Sequence, residues 1–98
     1  MADLTDNTAR HRFEMQAGDA TAFVNYRREA DRLVLVHTEL PPSLSGQGIG
    51  SALARAVMDN ARARGLRVVP ECEFIAGFIG RHPEYADLAV RAYPGDIR

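Results

Sequence analysis

Three short stretches of this 98-residue chain hold residue types that can do chemistry. The one cysteine, Cys72, closes the run VVPEC, and a thiol without a disulfide partner is a candidate nucleophile. Space-filling is the competing reading, because free cysteine is among the most buried residue types. The flanking Glu71 and Glu73 also disfavour a thiolate. His37 and Glu39, in HTE, stand two apart on an expected strand, hence on one face and roughly 7 Å apart. An imidazole beside a carboxylate is a candidate general base, and the alternative is that both bond loop backbone around Pro41 and Pro42. The third stretch, SGQGIGS (Ser45–Ser51), sets three glycines on alternate positions ahead of a helical run.

Glycine costs backbone entropy, so three so close together need a reason. A strand, a glycine-rich turn and a helix together make an anion site, since the first amides of a helix are unpaired and lie at the positive end of its dipole. A P-loop is excluded, because Ile49 and Gly50 stand where Lys and Ser or Thr are needed. A dinucleotide fingerprint is excluded by the G-x-G-x-G spacing and by the strands that come before it. A plain turn with a flexible helix start remains open on the glycines alone.

The elements that must position these groups can be read from periodicity. Residues 1–10 are polar and aperiodic and are expected to form a flexible tail. From His11 the chain alternates, with His11, Phe13 and Met15 on one face and Arg12, Glu14 and Gln16 on the other. After the turn AGDA (Ala17–Ala20), Ala22, Val24 and Tyr26 alternate with Phe23, Asn25 and Arg27. READ (Arg28–Asp31) turns into a third strand, RLVLVHTEL, whose alternation puts His37 and Glu39 on the face of Leu33 and Leu35. Short turns predict an antiparallel three-strand meander, which Pro41 and Pro42 end.

Ile49, Leu53, Ala56, Val57 and Ala61 follow at helical spacing, with Gly65 where the helix should stop. A helix between two strands is a crossover, so the fourth strand, LRVVP, is predicted parallel to the third. EFIAGFIGRH is helical through Phe74, Ile75, Phe78 and Ile79, and Pro83 suits the first position of a last turn. The fold class is therefore α/β (mixed α+β), with one domain over residues 11–98.

Composition narrows the function. The net charge of −1 lacks the basic surplus that nucleic acid or an anionic membrane needs. No apolar stretch is long enough to span a bilayer. A single cysteine and no secretory pattern make the cytoplasm the expected compartment. No Cys/His spacing suggests a metal site.

HTELPPSLSGQGIGSALARAV resembles the coenzyme A loop of the GNAT acyltransferase superfamily. That motif is Arg or Gln, two residues, Gly, one residue, then Gly or Ala; Gly48 and Gly50 match it, and Ser45 departs from its first position. HTE (His37–Glu39), VVPEC (Val68–Cys72), Phe74 and RHPEYADL (Arg81–Leu88) resemble, in the same order, the small stand-alone GNAT-like N-acetyltransferase domain proteins, over roughly Phe13 to Val90.

The resemblance implies acetyl-CoA (coenzyme A) as ligand, with its pyrophosphate on Gly46, Gln47, Gly48, Ile49, Gly50 and Ser51. It implies a sheet splayed after the third strand, the pantetheine arm in that gap, and Cys72 where the thioester sits. Cys72, Glu39 and His37 are the candidate catalytic residues. Tyr85 and His82 are read first as a packed ring and a helix cap, and Arg81 as either a phosphate contact or a solvated side chain. Larger relatives build part of the acceptor site from extra N-terminal helices. A chain without them suits an exposed protein side chain or a small amine. Three readings stand: an N-acetyltransferase acting directly or through acetyl-Cys72, a CoA-binding module without catalysis, and a structural partner domain.

Overall fold

The computed structural model describes residues 4–41 and 48–91. The chain passes through β1 (Leu4–Asn7), β2 (Arg12–Ala17), β3 (Ala20–Glu29), β4 (Arg32–Glu39), α1 (Ile49–Ala63), β5 (Arg67–Pro70), α2 (Glu73–Arg81) and a 3-10 helix (Pro83–Leu88). The strands form one sheet in the order β1-β2-β3-β4-β5. β2, β3 and β4 are the expected meander, and β5 adds in parallel to β4 after the α1 crossover.

The expected tail over residues 1–10 is corrected at Leu4–Asn7, which pair antiparallel with Arg12–Met15. Four residues are too few to show a period, and their hold is tertiary. Leu4 packs against the core. The Asp6 carboxylate accepts a hydrogen bond from Tyr26 Oη at 2.6 Å and lies 3.3 Å from Arg64 Nη1. One carboxylate thus ties the edge strand to β3 and to the end of α1. Burial, followed by the bond to Asp6, pushes the Tyr26 phenol up to about 12.

Alternation decides which side of the sheet is covered. Phe13 and Met15 of β2 and Ala22 and Val24 of β3 are buried, and they join α1 and α2 in a single core. α1 contributes Leu53, Val57, Met58 and Ala61 at helical spacing. α2 contributes Ile75, Phe78 and Ile79, with Phe74 half-buried at the margin. His11, expected on the strand, sits instead in the preceding turn with φ 53° and is exposed.

The 3-10 helix fastens onto α1. Tyr85 is buried, and its hydroxyl donates to Asp59 Oδ1 at 2.6 Å while accepting from Arg55 Nη1 at 3.2 Å. Arg62 donates to both carboxylate oxygens of Asp87 and to the Glu84 carbonyl. The guanidinium holds the Asp87 carboxyl below its usual range. These contacts give HPEYADL a structural role.

Candidate functional site

The first turn of α1 opens without a side-chain cap. Gly48 occupies the N-cap at φ 75°, a left-handed conformation in which other residues are strained. The first intrahelical bond runs from Ala52 N to Gly48 O at 3.0 Å. The amides of Ile49, Gly50 and Ser51 therefore precede the helical ladder, and the first turn carries no acidic residue. A Cβ on Gly48 would meet nothing within 4 Å. Amides without a partner among the described residues, the open space at Gly48 and the positive end of the dipole fit an anionic group. Gly46 and Gln47, the other loop residues expected here, lie outside the described residues.

Gly50 has a different reason to be glycine. A Cβ there would lie 2.8 Å from Phe74 Cζ and 3.0 Å from Leu40 Cδ1. The close approach that this glycine permits is to the protein's own core, between α1 and the first turn of α2.

Beside this turn the sheet forks. The β4–β5 ladder runs from Arg32↔Arg67 to Leu35↔Pro70 and stops, while β4 continues to Glu39. Cys72 closes the fork: its N–H donates to the Leu35 carbonyl at 3.0 Å, after which α2 begins. Past this point the β5 side of β4 is a free edge among the described residues. Val36, at its start, is 40% exposed and is the one large exposed apolar side chain among them.

The side chains around the fork are sorted by an extra residue in β4. Tyr26 pairs with Leu35 and Asn25 with His37, which leaves Val36 without a partner. Such a bulge shifts the alternation by one. Leu33 and Leu35 face the helices, and beyond the bulge it is Thr38, opposite buried Val24, that does so. His37 and Glu39 turn to the helix-free face, opposite Asn25 and Phe23. Their expected place on the Leu33 and Leu35 face is thereby corrected.

His37 and Glu39 do meet, with Nε2 and Oε1 2.7 Å apart, and both are exposed. Cys72 is on the helix side with Val68, as its alternation predicts, and is 8% exposed. Its Sγ lies 3.0 Å from Thr38 Oγ1. The three candidate catalytic residues thus converge on one end of β4 but from opposite faces, and the cysteine's neighbour is a hydroxyl. Thr38 was not legible as a site residue, because its inward position depends on the bulge.

The remaining candidates resolve structurally. His82 Nδ1 bonds the Phe78 carbonyl at 2.9 Å, and its ring stacks on Phe78 with centroids 4.0 Å apart, so it closes α2. Tyr85 is held by Asp59 and Arg55, and burial, followed by the bond to Asp59, pushes its phenol up. Arg81 is exposed at the end of α2.

Comparison with known proteins bears on the family and the fold. The model of a family described as GCN5-related N-acetyl-transferase matches residues 12–88. The fold is similar to the NMR solution structure of a GCN5-like candidate N-acetyltransferase from Staphylococcus aureus, with a TM-score of 0.70 and 23% identity over 96% of this chain and 93% of that one.

Proposed function

The chain belongs to the GCN5-related N-acetyltransferase family, and from that premise we propose that it binds acetyl-CoA across the β4–β5 fork and transfers the acetyl group to an amine. Acetyl transfer is the chemistry of the family. The observation that carries the finer reading is the ladder that stops at Leu35↔Pro70 beside an uncapped helix N-terminus.

The amides of Ile49, Gly50 and Ser51, with Gly46, Gln47 and Gly48 of the preceding loop, would hold the pyrophosphate. The free edge of β4 offers main-chain groups to an extended pantetheine arm, as a sheet edge does to an added strand. When bound, acetyl-CoA supplies an activated acetyl group as a thioester. Glu39, bonded to His37, would take the proton of the incoming ammonium, directly or through water, from the helix-free face. That face is open at these two residues, which suits an exposed protein side chain or a small amine as acceptor.

A second route is favoured by Cys72, whose sulfur sits at the fork. The thiolate would take the acetyl group first and an amine would then remove it. A CoA-binding module without turnover is the alternative to both routes.

Calorimetric titration with CoA and acetyl-CoA, followed by intact-mass analysis, tests the reading. Saturable binding of both, abolished by Gly48→Glu, is expected. An added acetyl group on Cys72 that an amine removes selects the covalent route, and turnover without it selects direct transfer. Absence of binding overturns the reading, and binding without turnover on any amine leaves the module.

A further inference from the structure

We propose that Thr38 is a positioning residue for Cys72, its hydroxyl holding the sulfur at the β4–β5 fork and donating to it when it is charged. This rests on the reading of the fork as the acetyl site.

The backbone of Cys72 is already fixed on both sides. Its N–H donates to Leu35 O, and its carbonyl accepts from Ala76 N, each at 3.0 Å. The freedom left to the sulfur is rotation about χ1, and the Thr38 hydroxyl at 3.0 Å meets it there. Threonine suits the task, because a β-branched side chain on a strand has few χ1 choices. Its hydroxyl can accept from a thiol and donate to a thiolate.

The charged groups nearby are engaged elsewhere or face away. His37 and Glu39 bond each other on the opposite face, and Glu71 lies 3.7 Å from Arg27. Glu73 is exposed, and the first turn of α1 offers Ile49, Gly50 and Ser51, with no ionisable side chain. Val36 is the cause of this arrangement, since the bulge there turns Thr38 inward and His37 outward.

In the covalent route the Cys72 thiolate attacks the thioester carbonyl carbon and a new S–C bond forms. The bond from that carbon to the CoA sulfur breaks, its electron pair leaves with CoA, and CoA takes up a proton equivalent to the one Cys72 gave up. Thr38 donates to the sulfur while it is anionic and holds it on the line of attack.

Because the chain has one cysteine, alkylation by iodoacetamide reads Cys72 alone. Thr38→Val keeps the volume and removes the hydroxyl, and Thr38→Ser restores it. In Thr38→Val, alkylation and acetylation by acetyl-CoA are each expected to be about ten-fold slower, the order of one charge-assisted hydrogen bond. The calorimetric Kd for CoA is expected to stay unchanged and Thr38→Ser to recover most of the rate. Wild-type rates in Thr38→Val, or a Thr38→Ser protein as slow as the valine variant, overturn the proposal. Should Thr38→Val not fold by circular dichroism, Thr38→Ala carries the same expectation. If the wild-type protein binds no CoA, the acetyl site falls while the alkylation series still decides the role of Thr38.

Discussion

The Cα of Gly50 faces the ring of Phe74 so closely that a Cβ between them would lie 2.8 Å from Cζ. The first turn of α1 and the first turn after Cys72 are therefore in mutual contact, with Leu40, the residue after β4, on the third side. Three parts of the candidate site meet at a glycine.

Gly50→Ala is expected to destabilise the protein by about 1–3 kcal/mol, because Phe74 and Leu40 must both shift to admit a methyl group. Gly48→Ala, in open space but at φ 75°, should cost about 1–2 kcal/mol from backbone strain. Denaturant midpoints measure both. CoA titration should show the larger loss of affinity in Gly50→Ala, where the displaced ring disturbs the fork.

Tyr85→Phe removes a hydroxyl that donates to Asp59 and accepts from Arg55. The expected result is a loss of about 1 kcal/mol in stability with acetyl transfer at its wild-type rate. A general acid at this position would lower the rate as well, with the same loss of stability.

The Tyr26 phenol gives an alkaline signature. Its folded value is raised from 10 to about 12, so the neutral form favours the folded state. That contribution is complete below pH 10 and is lost as pH rises toward 12, since the unfolded chain gives up the proton first. Urea midpoints measured through this window should fall faster for the wild type than for Tyr26→Phe.

Glu39→Gln should flatten the rising limb of the pH–rate profile for amine acetylation and leave CoA binding intact. His37→Ala should act in the same direction but more weakly, because the carboxylate remains. An unchanged profile in both variants would remove this pair from the chemistry.

Most of the scaffold was legible. Phe13, Met15, Ala22 and Val24 alternate cleanly, the α1 positions recur at helical spacing, and Gly65 stands at the end of the helix with φ 68°. Parallel pairing of β5 followed from the length of the crossover. β1 was hidden because its anchors, Tyr26 and Arg64, are remote in sequence. The faces of β4 were hidden for another reason. Leu33 to Val36 is an unbroken apolar run, so no polar residue marks where the count gains one, and alternation carried through it puts His37 and Glu39 on the wrong side. Cys72 stands on the predicted side, although β5 ends at Pro70 and the Glu71 N–H turns back to the Val69 carbonyl before it.

Val36 acts on β4 as an inserted letter acts on a reading frame. The ladder skips it, so the residues after it stand on the sides opposite to those an unbroken count assigns, and the pairing with β3, more than the identity of any side chain, decides which groups the fork receives. Removing that single residue would take away the bulge and leave His37 opposite Asn25 and Thr38 opposite Val24, on the faces they now hold.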